Sequence, residues 1–286
     1  MFIHLNTHSV YSPMRGLLSL PDLVNLSRSC GMDTLALTDV NGMWGFIRFV
    51  QHCKDAGIYP IAGTNLITKT EEVVLLAESQ YGYENMCRAV SAVHDNADRS
   101  VTEILKKNCA GLFVLSHREP TLKKLIEFIP DTHLFIELRP GIQESAAQKL
   151  TKELKLEMVA TGDVYFRDPG DHNAHVTLRA IENNTTLEQL NISECKTDQH
   201  WFRNEVEMVK LFPNSLDALN NSRYLADRCK TDWSFINTIF PGLSLKDTHR
   251  ANKELKDKVY AGAKIRYGEI NESIHQRIQY ELGIIT

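Results

Sequence analysis

The strongest constraint on this chain is an alternation that persists over its first 182 residues. Seven short, almost continuous apolar runs (2–5, 34–38, 58–62, 73–77, 112–115, 134–136 and 158–161) are separated in most cases by amphipathic helical patterns. Runs of this kind describe strands buried on both faces, and the intervening helices predict that they lie parallel. An open doubly wound sheet and a closed barrel both satisfy the pattern. Helix punctuation supports the division: Pro21 sits just inside a start at Ser19 with Gly31 as the stop, and Gly57 closes a helix over 45–56. Further helices are predicted near 143–154 and 169–181.

Beyond residue 183 the strand runs stop. Residues 185–198 read as a polar loop, and helical patterns follow near 203–211, 215–228, 249–267 and 272–282, the last with Gly283 as its expected C-cap. The expected organisation is therefore a strand–helix body over 1–200 and an appended helical layer over 201–286. No apolar run approaches the ~20 residues that span a bilayer. The segment 1–6 has neither the basic nor the apolar region of a secretory signal, so a cytoplasmic location is expected.

Charge and cysteine content remove other classes. With 32 basic and 36 acidic residues the chain has a net charge of −4, unlike a simple polycationic nucleic-acid binder. The six cysteines include no CxxC pair, which argues against a zinc ribbon, and they read as buried thiols. Neither GxGxxG nor GxxxxGK[ST] occurs, so dinucleotide and P-loop binding are unsupported. His172 and His175, three apart near a helix start, lack a partner pair and read as surface or packing histidines.

Chemistry is concentrated where the runs end. They lead into Asn6 and His8, Asp39, Asn65, Glu78, His117 and Arg118, Glu137 and Arg139, and Asp163. In parallel α/β folds the carboxyl ends of strands converge on one site. His8, Asp39 and Asp163 are residue types that ligate divalent metals.

These segments also carry a family resemblance. HLNTHSVYS (4–12), ALTDVNGMWG (36–45), PIAG (60–63), GYEN (82–85), VLS (114–116) and ATGDV (160–164) resemble the PHP (polymerase and histidinol phosphatase) domain of bacterial DNA polymerase III alpha subunits. The end of the chain resembles that family's passage from the PHP domain towards the polymerase palm. The resemblance implies a distorted (β/α)7 TIM-like barrel followed by a helical C-terminal layer. In active members, it implies a metal centre that hydrolyses phosphoesters, in some as a 3′–5′ exonuclease. Palm carboxylates lie beyond the matching segment, so this chain is not expected to polymerise DNA by itself.

Measured against the family pattern, only His8, Asp39 and Asp163 keep ligand identity. Asn6, Val40, Asn65, Arg118 and Tyr165 stand at positions of other ligands, and Glu72 falls near one more. Arg118 would place a fixed positive charge where a metal ligand belongs. The expectation is a degenerate metal site and a structural or interaction platform in DNA replication, whose partners are polymerase core domains or other replication proteins. No cofactor is expected, or at most one Zn²⁺ or Mn²⁺ on His8, Asp39 and Asp163 with His117 nearby. That single-metal case leaves residual phosphoesterase or exonuclease activity as an alternative. A second alternative is metal-free binding of a phosphate or DNA end through Arg118 and Arg139.

Overall fold

A computed structural model describes residues 1–96, 98–234 and 248–286. The chain divides into two compact units, Met1–Trp233 and Ser234–Thr286.

The first unit contains α1 (Leu20–Ser29), β1 (Thr34–Leu37), α2 (Phe46–Ala56), β2 (Tyr59–Ile67), β3 (Glu72–Ala77), α3 (Gln80–Asp95) and α4 (Val101–Asn108). These are followed by β4 (Leu112–Ser116), α5 (Glu119–Leu125), β5 (Leu134–Leu138), α6 (Glu144–Leu154), β6 (Met158–Ala160), α7 (His172–Glu182), α8 (Glu205–Leu211) and α9 (Leu216–Arg228). Local chemistry sets several boundaries. The Ser19 hydroxyl accepts from the Asp22 amide at the start of α1, and Gly57 ends α2 at φ 71°, a conformation that only glycine adopts without strain. Ser100 and Glu103 form a reciprocal capping box on α4.

The six strands form one curled half-barrel sheet in the order β1-β2-β3-β4-β5-β6. Their side chains are almost wholly buried, as continuous apolar runs require. The all-parallel expectation is corrected at one strand: β3 is antiparallel to both β2 and β4, while the other neighbours are parallel. The reason is the link between β2 and β3. Residues 68–71 form a tight turn closed by Thr68 N–H donating to Glu71 O at 2.9 Å, far shorter than the dozen or so residues of a parallel crossover.

The first apolar run is a second correction, because it forms no strand. Its backbone lies between β1 and the segment after β6, with Ala36 N–H on His4 O at 3.1 Å, Thr38 N–H on Thr7 O at 2.9 Å, and His8 N–H on Val164 O at 2.8 Å. Val164 N–H in turn donates to Asn6 O at 3.0 Å. This bridging carries Asn6 and His8 into line with the ends of β1, β5 and β6. Helix α9 packs on β6, so α8 and α9 are part of the first unit.

In the second unit, α10 (Thr248–Tyr267) and α11 (Glu272–Ile285) are joined by a turn at Gly268, φ 71°. Asn271 caps α11 by accepting from Ile274 N–H at 3.0 Å, and Tyr260 OH contacts His275 Nδ1 at 3.0 Å. Gly283 is not the cap expected of it: it lies inside α11, which continues to Ile285. Among the described residues, no helix is long and apolar enough to cross a membrane.

Candidate functional site

The end of the sheet where β1, β5 and β6 finish and β3 begins holds a buried polar cluster. Its centre is Arg139, one residue past β5 and 8% exposed. Its two terminal nitrogens donate to the two oxygens of Glu72, Nη1 at 2.8 Å and Nη2 at 3.4 Å. Nη1 also lies 3.1 Å from Asp163 Oδ2 and 3.8 Å from Glu137 Oε2, and Nη2 is 3.2 Å from His117 Nε2. A planar guanidinium can serve several carboxylates in this way because its donors fan out in fixed directions.

Asp163 sits at φ 43° just after β6 and is fully buried. Oδ2 accepts from Lys196 Nζ at 2.6 Å and lies 3.2 Å from His200 Nδ1, while Oδ1 is reached by Asn6 Nδ2 at 3.4 Å. Burial pushes this carboxyl up, but Arg139, Lys196 and His200 outweigh it and hold Asp163 well below the usual carboxylate range. Glu72 is likewise held low against burial by Arg139 and Lys196. Burial works against ionised Arg139 as well, yet Asp163, Glu137 and Glu72 keep it firmly protonated. Glu137 is satisfied on Oε1 by Asn6 Nδ2 at 2.8 Å and Thr161 Oγ1 at 2.7 Å, with His117 Nδ1 3.8 Å from Oε2.

His8 lies 4.0 Å from Asp163 through Nδ1, but that nitrogen is 3.1 Å from Val164 O, which makes it the protonated one. Burial lowers the His8 pKa to about 4, so the ring is neutral near pH 7. It stacks on Tyr165 with centroids 3.9 Å apart, and Asn65 Nδ2 approaches Nε2 at 3.5 Å while donating to Glu72 Oε1 at 3.3 Å. Tyr165 is buried and its hydroxyl is pushed well up by burial.

Asp39 takes a different direction. Its carboxylate accepts from Ser9 N–H at 2.7 Å, Ser9 Oγ at 2.9 Å and Ser12 Oγ at 2.7 Å, pinning the 9–16 loop. Gly16 permits that loop to close, since a Cβ there would stand 2.0 Å from Ser9 O. With only neutral donors, burial prevails and raises the Asp39 pKa. Arg118 is also displaced from the centre. It is largely exposed, donates to Thr70 O at 3.3 Å and lies 3.8 Å from Glu72, so the cation paired with Asp163 is Arg139.

Strand polarity redistributes two glutamates. Because β3 runs backwards, Glu78 lies at the far end, where it pairs with Arg228 at 2.6 Å and His133 at 3.1 Å. Glu72, at the beginning of β3, enters the site instead. Lys196 and His200 were not anticipated as site residues. Lys196 comes from the stretch read as polar loop, 33 residues beyond Asp163. The one local signal was His172 with His175, which bond the Lys196 backbone on both sides.

As they stand, these donors do not fit a metal centre. The Asp163 oxygen nearest the imidazoles is taken by two organic cations, His8 Nδ1 by a carbonyl, and Asp39 by two serines. Among the described residues, no three His, Cys, Asp or Glu side chains are arranged to hold a metal ion. Above the cluster, a cleft of about 470 Å³ is lined by Arg15, Arg118, Arg139, Arg179 and Lys196 against Glu72 and Glu194.

A model of the PHP domain family matches residues 4–166, more than half of the chain, and the chain belongs to that family. Over its full length it is similar to DNA polymerases. It is 28% identical to DNA polymerase III subunit alpha of Pasteurella multocida, over 100% of this chain and 28% of that protein. The corresponding figures for the Bacillus subtilis subunit are 28% identity over 99% and 28%. An error-prone DNA polymerase of Symbiobacterium thermophilum is 27% identical over 100% of this chain and 30% of its own length. The chain thus spans less than a third of the length of these relatives. Among solved structures, a two-domain Bacteroides vulgatus protein described as containing a PHP-like metal-dependent phosphoesterase aligns with a TM-score of 0.41 at 15% identity. That alignment covers 58% of this chain and 52% of the other.

Proposed function

We propose that this chain is a PHP module acting in DNA replication as a structural and interaction platform, with its ancestral metal pocket converted to an internal ion-pair core. The observation that carries the reading is Arg139, buried and shared among Glu72, Glu137 and Asp163, with the Lys196 ammonium 2.6 Å from Asp163. Fixed cations already pair with the carboxylates a metal would need, and a metal ion in the same space is repelled by them. The similarity to polymerase III alpha subunits supports polymerase core domains or other replication proteins as partners, in the cytoplasm. The α10–α11 hairpin exposes Ile265, Tyr280 and Ile284, apolar surface of the kind that protein contacts use. In this reading the PHP barrel lies within residues 1–200, closed by the 2–8 segment as a seventh stave; α8 and α9 extend it within the same compact unit, and α10 and α11 follow in the second.

Metal content tests the proposal. Protein purified without chelator, equilibrated with Zn²⁺ and Mn²⁺ and desalted is expected to retain under about a tenth of an equivalent. About one equivalent, lost in Asp163→Ala, would reinstate the residual phosphoesterase or exonuclease reading with His8, Asp39 and Asp163 as ligands.

The cleft favours a second reading, metal-free anion binding. Arg139 is engaged below it, so Arg15, Arg118 and Arg179 would face a phosphate or a DNA end. Inorganic phosphate would then raise the melting temperature of chelator-treated protein, and Arg118→Gln would reduce the rise.

A further inference from the structure

Three carboxylates, Glu72, Glu137 and Asp163, share the pocket with the imidazoles of His8, His117 and His200. These are residue types that ligate divalent ions, although, as they stand, no three of them are arranged to hold one. Two organic cations stand among them, and they are held in unlike ways. Arg139 directly follows β5 and is bound at both ends of its fork by Glu72. Lys196 instead arrives on the strap 185–200, whose regular structure is limited to the 3-10 turn Ile192–Glu194.

The strap is fixed at Lys196 itself. His172 Nε2–H donates to Lys196 O at 2.9 Å, and Lys196 N–H donates to His175 Nε2 at 3.1 Å. His175 is oriented for this by donating Nδ1–H to Arg15 O at 2.8 Å. One backbone unit is therefore clamped on both sides by α7. From there the side chain passes over the Tyr165 ring, Nζ 4.9 Å from its centroid, and ends on Asp163 Oδ2.

We propose that Lys196 is a tethered stand-in for a metal ion, and that its charge beside Asp163 keeps divalent cations out of the pocket. The inference rests on the metal-free reading above and names the residue responsible. Three carboxylates against Arg139 and Lys196 leave the cluster one negative charge in excess. Without Lys196 the excess is two, and Asp163 Oδ2 is left with Arg139 as its one organic cation beside His200, which favours a dication.

The experiment compares the wild-type chain, Lys196→Met and Lys196→Arg after equilibration with Zn²⁺ or Mn²⁺ and desalting. Bound metal is read by mass spectrometry, and melting temperature is measured with and without metal. Wild type and Lys196→Arg should retain under about a tenth of an equivalent and show no metal-dependent shift. Lys196→Met should approach about one equivalent and gain roughly 5 °C on metal addition. Folded Lys196→Met that stays empty overturns the proposal while leaving the metal-free reading intact. Equal filling of Lys196→Met and Lys196→Arg overturns it too, because charge would then not be the barrier. About one equivalent in wild type overturns the metal-free reading itself. If Lys196→Met does not fold, His172→Ala loosens the strap from the α7 side: metal uptake supports the proposal, and an empty pocket overturns it.

Discussion

The two ends of β3 present the same three side-chain types in different surroundings. At one end Glu72 pairs with Arg139, which reaches His117. At the other, Glu78 pairs with Arg228 and His133. The Glu72 and Arg139 side chains are 9% and 10% exposed, whereas those of Glu78 and Arg228 are 26% and 29% exposed. Arg228 has other support, lying over the Phe113 and Tyr224 rings. Arg139 lies instead among carboxylates, Glu72, Glu137 and Asp163, and the His117 imidazole, and with Lys196 it supplies the charge that offsets them. Burial thus converts one chemical theme into two, a core that requires every member and a surface clasp that tolerates loss.

The comparison can be broken most directly at Arg139. Arg139→Met leaves three buried carboxylates with one cation fewer and is expected to cost about 3–5 kcal/mol in urea unfolding. A cost below about 1 kcal/mol would place Arg139 in the same class as Arg228. Next in size, Glu72→Gln removes a charged hydrogen-bond acceptor and should cost roughly 2 kcal/mol.

The pH dependence sharpens the contrast. Glu72 and Glu78 are both held below the ordinary glutamate value in the folded chain, despite burial, by Arg139 and Lys196 in one case and Arg228 and His133 in the other. A depressed folded value means that the stabilisation is complete above the unfolded pKa of about 4.3 and is lost as pH falls through the folded value. Unfolding free energies measured between about pH 2 and 7 should therefore fall on the acid side. Glu72→Gln should flatten that limb more than Glu78→Gln, and an equal flattening would contradict the assigned difference.

Smaller again, Asp39→Asn keeps the shape but weakens the acceptor for Ser9 and Ser12, for an expected loss of about 1 kcal/mol. Smallest is Arg228→Met, at about 0–1 kcal/mol, with the loss shrinking further at ~0.5 M salt. Salt that altered the Arg139→Met cost equally would show that the inner cluster is solvated after all.

Most of what is legible in the sequence comes from residues close together in it. Gly57 stops α2 because glycine alone enters the left-handed region freely, and Ser19 with Pro21 starts α1, both local effects. Six of the seven apolar runs were legible as strands because buried strands must be apolar throughout, while the run 2–5 is equally buried and apolar without forming one. Convergence of Asn6, His8, Glu137, Arg139 and Asp163 followed from their positions after successive runs. Gly283 misled for a related reason, since a glycine near a helix end need not terminate it when following residues can remain helical.

By itself, the sequence determined the strand–helix alternation, PHP family membership and the departures at Asn6, Val40, Asn65, Arg118 and Tyr165. Periodicity and short-range sterics act within a few residues and leave their trace in order and spacing. The tertiary structure alone decided that β3 is reversed, bringing Glu72 rather than Glu78 to the site, and that Asp39 serves a loop. It also decided that Asp163 is matched by Arg139 and Lys196. Those outcomes depend on which charges become neighbours across tens of residues and how completely water is removed from between them, and neither quantity is written in local spacing.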